Sequence, residues 1–292
     1  MHPIILAHGI ARFDVLRQRV KDELNLPDSE LTDELHYFRN IRKHLGENGF
    51  ASVFATDVDF AGTVELRAAQ LRDQVSEILT ATGADKIHII AHSMGGLDAR
   101  QMIVDLEMAD RVASLTTIGT PHLGTVLADK VIEDGGDLLI EVVRKALNVS
   151  LDGFVDLQTN VCEEFNRRAC DSEAKNAVFY QTYSSFESGD DMFVPLVASW
   201  LLIRTHEGRN DGLVPVRSQQ WERELVASDG TKKQIPQHAF PLSADHLNQV
   251  GWWDLAEAVN PFFGGSLHKQ KANYEMQIKN IYLDIARGLP QS

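Results

Sequence analysis

The sequence predicts an α/β protein built on a mostly parallel sheet with helices on both faces. Two observations lead to this prediction: short apolar runs typical of buried strands alternate with segments of helical periodicity, and no repeat or low-complexity tract interrupts them. The alternation of the two element types is typical of parallel sheets, whose strands need a crossover connection. Strands are predicted at residues 4–7, 51–55, 86–91, 114–119 and 177–183.

The predicted helices connect these strands. One helix is predicted over 65–81, and it joins the second and third strands in a βαβ unit. Its apolar residues at helical spacing are Leu66, Ala69, Val75, Ile78 and Leu79. A closing amphipathic helix is predicted over 273–288, and a linker-like stretch over 227–237, where Ser228-Asp229-Gly230 signals a turn. We expect a single domain over 1–292 with an inserted subdomain.

Composition limits the classes of partner. The 292 residues are 43% hydrophobic and 24% charged, as in ordinary globular proteins, and the net charge is −14. Such an acidic chain gains nothing from counterion release, so nucleic acid and anionic membrane surfaces are disfavoured and neutral substrates are favoured. No apolar run reaches 18 residues, and a transmembrane helix is therefore not expected.

The N-terminal residues and the two cysteines bear on localisation. Residues 2–7 already form the first predicted strand, which indicates a cytoplasmic protein as the sequence stands, or a secreted one if a leader was trimmed. Cys162 and Cys170 lie in one predicted helix, where eight residues at about 1.5 Å each separate them by about 12 Å. Because a disulfide cannot span that distance, both are predicted to be free thiols.

The segment after Gly124 has a different pattern. Leu138, Leu139, Val142, Val143, Ala146 and Leu147 form a helical apolar stripe among acidic residues. One interpretation is a helix packed on the core. The other is a helical lid over 124–157 whose apolar face covers the active site and opens at a lipid–water interface.

The most informative motif is Ala91-His92-Ser93-Met94-Gly95-Gly96, which lies between a predicted strand and a helical pattern that starts at Leu97. A sharp strand-to-helix turn of this kind holds a nucleophilic serine in a strained conformation, with Oγ at the end of the sheet. The residues two before and two after the serine must be small, and Ala91 and Gly95 meet that need. The alternative is an ordinary turn serine.

A serine nucleophile requires a base and an acid that orients the base. With the chain order Ser, Asp, His, the candidates are His246 in Ala244-Asp245-His246-Leu247-Asn248 and Asp211 in Asn210-Asp211-Gly212. An alternative for Asp211 is a turn in which the carboxylate caps its own backbone, with Asp191 and Asp229 then as candidate acids. His8 and His92 flank the site and are expected to be structural or pocket-lining.

The same reasoning predicts an oxyanion hole and an acyl site. Met94 follows the nucleophile and supplies one backbone N–H, and Ile10, in the tight turn after the first strand, supplies the second. Phe13, Leu123 and Trp200 are candidate substrate-binding residues, although apolar residues of this kind also belong to protein cores.

Together these motifs resemble the bacterial true lipases of the α/β-hydrolase superfamily and are similar to fungal mitochondrial triacylglycerol lipases. The matching stretches occur in the order typical of that family, at 3–10, Tyr37-Phe38-Arg39-Asn40-Ile41, 86–100, Ser114 through Gly119-Thr120-Pro121-His122-Leu123-Gly124, 210–215 and Asp245-His246-Leu247-Asn248. The resemblance implies an α/β-hydrolase fold, a Ser93, Asp211 and His246 triad, oxyanion donors at Ile10 and Met94, a lid after Gly124, and long-chain acyl esters as substrates.

The resemblance also raises the question of a structural calcium. In the bacterial relatives an aspartate two residues after the catalytic histidine helps to hold the ion, whereas this chain has Asn248 there, and Trp252 replaces a glutamine. An amide oxygen can ligate calcium, but losing a carboxylate weakens a site that depends on charged oxygens. No cofactor is therefore expected, and a weakened structural calcium site is the alternative.

The sequence therefore indicates a serine carboxylester hydrolase with lipase character. A short-chain esterase, a thioesterase or a polyester hydrolase would share the triad, and a non-catalytic binding module of the same fold is the remaining alternative.

Overall fold

The computed structural model describes residues 2–10, 36–60, 62–134, 151–252 and 265–290. The described strands are β1 (Ile4–Ala7), β2 (Val53–Ala55), β3 (Ile87–His92), β4 (Val112–Ile118), β5 (Phe179–Ser184), β6 (Glu224–Val226), β7 (Lys232–Gln234) and β8 (Gln237–Ala239). The main sheet has six parallel strands in the order β2-β1-β3-β4-β5-β8, and β6 and β7 form a separate antiparallel pair. All five predicted strands are confirmed, with small shifts at their ends.

The helices of the described residues lie between and after these strands. They are α1 (Ile41–Glu47), α2 (Val64–Thr82), α3 (Gly95–Asp105), α4 (Val126–Asp134), α5 (Leu151–Val155), α6 (Thr159–Lys175), α7 (Val197–His206), α8 (Val216–Gln220) and α9 (Gly265–Arg287). Helix α2 confirms the helix predicted over 65–81, and its start is capped by the Thr63 hydroxyl, which accepts from the Leu66 N–H. Helix α9 contains most of the predicted closing helix and starts before it.

Alternate residues of the strands face opposite sides of the sheet, and both sides are buried. Ile4 and Leu6 of β1 belong to a core cluster that also contains residues of α1 and α9. Ile5 and Ala7 belong to a second cluster with residues of α2, α3 and α6. Because each fully buried aliphatic side chain contributes about 1.5–3 kcal/mol, this two-sided core accounts for a large part of the stability of the sheet.

The prediction of a linker over 227–237 is wrong. Residues on either side of the predicted turn form β6 and β7, and the turn itself closes with hydrogen bonds from Ala227 N to Thr231 O at 2.8 Å and from Gly230 N to Ala227 O at 2.9 Å. Leu225 and Ile235 are buried against the second core cluster. Each strand has only three residues, too few for sequence periodicity to detect the pair.

Part of the predicted lid and both cysteines lie in the described residues. Helices α4 and α5 lie within the predicted lid, whereas the apolar stripe from Leu138 to Leu147 lies outside the described residues. Cys162 and Cys170 both lie in α6 and both are free, as predicted. Of the helices that are described, none is long and apolar enough to cross a membrane.

Two buried ion pairs fix α3, the helix that follows the predicted nucleophile. Arg67 of α2 pairs with Asp98 of α3 at 2.7 Å, and Arg100 of α3 pairs with Glu173 of α6, also at 2.7 Å. The Arg100 guanidinium lies 3.9 Å from the centre of the Trp221 ring. Both pairs are fully desolvated, so removal of one partner leaves an uncompensated charge in the core.

Candidate active site

Ser93 lies in a strained turn between β3 and α3. Its φ angle is 56°, in the left-handed region that residues other than glycine seldom adopt. The turn is held by the Ser93 N–H, which donates to Ile118 O at 2.9 Å, and by the Thr120 hydroxyl, which donates to Ser93 O at 2.8 Å. A Cβ atom at Gly95 would lie 2.5 Å from the Ala7 carbonyl oxygen, so the close approach of α3 to β1 requires glycine there.

The structure brings Ser93, His246 and Asp211 together. Ser93 Oγ lies 2.8 Å from His246 Nε2, and His246 Nδ1 lies 2.8 Å from Asp211 Oδ2. All three residues are at least 96% buried. A carboxylate only accepts hydrogen bonds, so His246 carries its proton on Nδ1 and its Nε2 is free to accept the proton of the serine hydroxyl.

The carboxylate of Asp211 is fixed by its own turn as well as by the histidine. Its Oδ1 accepts hydrogen bonds from Leu213 N at 3.0 Å and Val214 N at 2.8 Å. The capping role that was the alternative for Asp211 is therefore observed together with the contact to His246. Asp191 accepts from the Ser188 hydroxyl and Asp229 from the Thr231 N–H, and neither has a described contact with His246.

Asp245 shapes the loop that carries His246. Its Oδ1 accepts from the N–H groups of Leu247 at 2.9 Å and Asn248 at 2.8 Å, and its Oδ2 accepts from Phe193 N at 3.1 Å. Burial raises the pKa of Asp245 to about 6, and the hydrogen bonds from these backbone groups act in the opposite direction. Sequence reasoning missed this residue because an aspartate beside a histidine gives no signal of burial.

The turn after β1 passes directly over the serine. A Cβ atom at Gly9 would lie 2.5 Å from Ser93 Cβ and 2.9 Å from Ser93 Oγ, so this turn contacts the serine side chain. Ile10 and Met94 are both buried and belong to one apolar cluster. In the described part of the chain, neither of their N–H groups donates to a backbone carbonyl. The arrangement fits the oxyanion hole that the sequence predicts.

Arg67 holds this turn from behind. Its Nη2 donates to the His8 carbonyl at 2.7 Å, while Nε and Nη2 donate to Asp98 Oδ2 at 2.9 and 2.7 Å. The His8 ring accepts from Val58 N on Nε2 and therefore donates from Nδ1 to Gly9 O at 2.9 Å. Burial lowers the pKa of His8 to about 3, with a smaller effect from Arg67, so the ring is neutral as the prediction of a structural role requires.

Three further buried residues lie behind the triad. The Tyr37 hydroxyl is 2.7 Å from His92 Nδ1, His92 Nε2 is 3.0 Å from Gln249 Oε1, and Gln249 Nε2 is 2.9 Å from Asp211 Oδ2. The rings of His92 and His246 lie 4.5 Å apart, centre to centre. Sequence reasoning placed His92 beside the site without a partner and missed Tyr37 and Gln249. The only available signal was a polar residue inside an otherwise buried pattern.

The predicted substrate-binding residues have mixed outcomes. Phe13 lies outside the described residues. Leu123 packs against the core cluster that contains Trp221, and the Trp200 indole donates to Glu187 O at 3.1 Å. These contacts are structural, and a role for Leu123 or Trp200 in binding substrate stays a prediction.

The two side chains at the implied calcium site both donate hydrogen bonds to backbone carbonyls. The Asn248 amide donates to Trp252 O at 2.7 Å and closes the loop on itself, and the Trp252 indole donates to Tyr37 O at 2.9 Å and ties the loop to the body of the protein. Calcium requires several oxygen ligands, usually with carboxylates among them. Within the described ranges, no group of three or more His, Cys, Asp or Glu residues is arranged to hold a metal ion.

The known proteins that this chain resembles in sequence or structure include several lipases. Triacylglycerol lipase 2 of Saccharomyces cerevisiae is 28% identical over an alignment that covers 99% of this chain and 91% of that protein. A triacylglycerol lipase of Vibrio cholerae is 34% identical, but the match covers 53% of this chain and less than half, 44%, of that protein. The crystal structure of the mature Bacillus licheniformis lipase BlEst2 superposes with a TM-score of 0.60 at 19% identity, covering 84% of this chain and 85% of that chain.

The family assignment rests on a match to a family model over more than half of the chain. Residues 3–188 match the family model of the alpha/beta hydrolase fold, a range that contains β1 to β5 and the turn at Ser93. The parallel sheet, the strained serine turn and this match agree, and the chain belongs to the alpha/beta hydrolase fold family.

Proposed function

We propose that this protein is a serine carboxylester hydrolase that acts as a triacylglycerol lipase on medium to long acyl esters. The observation that carries the proposal is the buried contact of Ser93 with His246 and of His246 with Asp211, at 2.8 Å each. The triacylglycerol lipases among its relatives support an ester of a fatty acid as the substrate.

In the proposed reaction, Ser93 Oγ attacks the carbonyl carbon of the ester while its proton moves to His246 Nε2. The negative charge on the former carbonyl oxygen is stabilised by the N–H groups of Ile10 and Met94. His246 then gives its proton to the departing alcohol, which leaves an acyl group on Ser93. Water, activated by His246, attacks this acyl-enzyme and releases the fatty acid.

Asp211 supports both proton transfers. Its ionised carboxylate keeps the His246 proton on Nδ1 in the resting enzyme and stabilises the imidazolium that forms when Nε2 accepts the serine proton. Because Oδ1 is held by the N–H groups of Leu213 and Val214, the other oxygen stays directed at the histidine.

An apolar environment beside the oxyanion residues supports a lipid substrate. Ile10 and Met94 pack with Leu127 and Val131 of α4 and with Phe154 of α5, two helices of the predicted lid. We infer that an acyl chain lies along this apolar cluster when α4 and α5 move away from it. The rate of hydrolysis should then rise abruptly when the ester concentration exceeds the solubility limit and the ester forms a separate phase. A rate that follows one smooth saturation curve across that limit would argue against a lid.

The function is tested with p-nitrophenyl esters from acetate to palmitate, with Ser93→Ala as the control. Maximal activity on long chains that is lost in Ser93→Ala supports the lipase. A maximum at acetate or butyrate identifies a short-chain esterase, and faster turnover of acyl thioesters or polyesters identifies a thioesterase or a polyester hydrolase. Activity that survives in purified Ser93→Ala contradicts the assignment of the nucleophile.

A further inference from the structure

The hydrogen bonds behind the triad have only one consistent direction. The Asp211 carboxylate accepts only, so the amide nitrogen of Gln249 is the group that donates to it, and the amide oxygen of Gln249 faces His92. That oxygen accepts from His92, whose proton is therefore on Nε2. His92 Nδ1 is then an acceptor, and the Tyr37 hydroxyl donates to it.

The same series of hydrogen bonds reaches the turn that carries Ile10. The Tyr37 hydroxyl also takes part in a hydrogen bond with the backbone of Gly9, whose N–H is the donor. A continuous series of donors thus runs from Gly9 through Tyr37, His92 and Gln249 and ends on Asp211. Every member is buried, so the bonds are made in an environment of low dielectric, where they are strong and where an unmade bond is costly.

His92 has to be neutral for this arrangement. Burial lowers its pKa well below the usual value for histidine, and the nearby His246 lowers it further. A protonated His92 would place a second positive charge 4.5 Å from the His246 ring, where the imidazolium forms during the reaction. Among the described residues, the other charged groups that act on this hydrogen-bond series are Arg67 and Asp98 on the side of Tyr37 and Asp245 on the side of Asp211.

We propose that Gln249, with His92 and Tyr37 behind it, is a positioning residue that holds Asp211 Oδ2 on His246 and couples the triad acid to the turn carrying the oxyanion donor. Oδ1 of Asp211 is held by backbone, and Oδ2 is held by His246 and Gln249 alone among the described residues. Gln249 therefore fixes the plane of the carboxylate when the histidine gains and loses its proton. The inference rests on the proposed function.

The first test compares two substitutions of Gln249 of nearly the same size. Gln249→Leu removes the donor, and we expect kcat to fall about tenfold to a hundredfold, the worth of one hydrogen bond to a buried charge, with KM close to that of the wild type. Gln249→Glu places a second carboxylate against Asp211. The two share one proton, so this variant should be active at lower pH and lose activity as that proton leaves, which adds a descending alkaline limb to the pH profile.

Gln181 provides the matched control. It is a buried glutamine on β5 whose amide donates to the Thr116 hydroxyl at 2.8 Å, with no described contact to the triad. Gln181→Leu and Gln181→Glu make the same chemical changes in the core, and we expect them to alter thermal stability but to leave kcat and the shape of the pH profile unchanged.

Residues of the hydrogen-bond series that lie further from Asp211 should affect kcat less. Tyr37→Phe removes only the hydroxyl, and its loss of kcat should be smaller than that of Gln249→Leu. In the double variant Tyr37→Phe/Gln249→Leu, the fold-loss of kcat should be smaller than the product of the two single fold-losses, because both substitutions interrupt the same series of hydrogen bonds. A measurement independent of activity is ¹⁵N NMR of the histidine rings, in which His92 should be neutral with its proton on Nε2.

Several results would overturn the inference. They are a wild-type kcat in folded Gln249→Leu, a wild-type pH profile in Gln249→Glu, fully multiplicative losses in the double variant, and a His92 proton on Nδ1. If Gln249→Leu does not fold, Gln249→Glu, Tyr37→Phe and the NMR measurement still decide. Failure of the proposed function is distinguished by Ser93→Ala: if this variant stays active, the triad itself is wrong, whereas an inactive Ser93→Ala with an unaffected Gln249→Leu refutes only the positioning role.

Discussion

Gly9→Ala tests the geometry of the proposed oxyanion hole. The new Cβ atom would lie 2.5 Å from Ser93 Cβ, 2.9 Å from Ser93 Oγ and 2.8 Å from the Tyr37 hydroxyl oxygen. Carbon atoms in contact are normally about 3.5–4.0 Å apart, so the turn after β1 has to move away from the serine by about 1 Å. The N–H of Ile10 moves with it.

The size of the effect follows from what the displaced group does. Loss of one oxyanion donor lowers the rate by about 10²–10³, or about 2.7–4 kcal/mol of transition-state stabilisation. The overlap itself should destabilise the fold by about 1–3 kcal/mol, as other overpacked core variants are destabilised. We therefore expect Gly9→Ala to fold, with kcat lowered about 10²–10³-fold and the free energy of unfolding lowered by about 1–3 kcal/mol.

The assay compares Gly9→Ala with the wild type in kcat and KM for one p-nitrophenyl ester and in the free energy of unfolding in urea. Gly46→Ala is the control, because Gly46 is exposed in α1 and an added Cβ meets nothing within 4 Å. That variant should keep full activity and gain up to about 1 kcal/mol of stability from helix propensity. Wild-type kcat in folded Gly9→Ala would refute the placement of the oxyanion donor in this turn.

Three further predictions concern stability. Arg67→Met should lower the free energy of unfolding by about 3–5 kcal/mol because Asp98 is left buried without its partner, and adding Asp98→Leu should restore part of the loss in urea unfolding; an additive effect of the two changes would contradict the ion pair. The folded-state pKa of Asp245, about 6, is raised above the ordinary 3.8, so the folded protein holds this proton more tightly and the contribution of Asp245 to the stability of the wild type falls as pH rises across that interval. Asp245→Asn removes the titration, and the unfolding free energy of the variant relative to wild type should rise with pH over the same interval, whereas a constant difference would contradict the buried carboxyl. Prolonged treatment with EDTA should leave the midpoint of thermal unfolding and the rate of ester hydrolysis unchanged, because hydrogen bonds of Asn248 and Trp252 already hold the loop and the carboxylate expected of a calcium site is missing; a loss reversed by calcium would show a calcium requirement.

The parts of the site that lie in continuous motifs could be predicted from the sequence. Strand β3, the turn at Ser93 and the start of α3 adjoin one another, so local periodicity and the small residues at Ala91 and Gly95 were sufficient. The loops with Asp211 and His246 were identified by chain order and turn chemistry, and the structure brings both to Ser93.

The supporting residues could not be predicted, because their partners are distant in sequence. His92 and Gln249 are 157 residues apart, and Tyr37 and His92 are 55 residues apart. A buried arginine such as Arg67 looks the same in sequence as an exposed one on an amphipathic helix. Its role depends on which residues the sheet and helices bring together, as does the pairing of the short strands β6 and β7.

The central claim is that Ser93 is the nucleophile of an ester hydrolase, and covalent labelling tests it most directly. The protein is treated with a fluorophosphonate, and the modified residue is located by mass spectrometry of the intact chain and of its peptides. We expect one adduct, on Ser93, formed in parallel with loss of esterase activity and absent from Ser93→Ala. An adduct on another residue, or a folded protein that hydrolyses esters without reacting, would contradict the account.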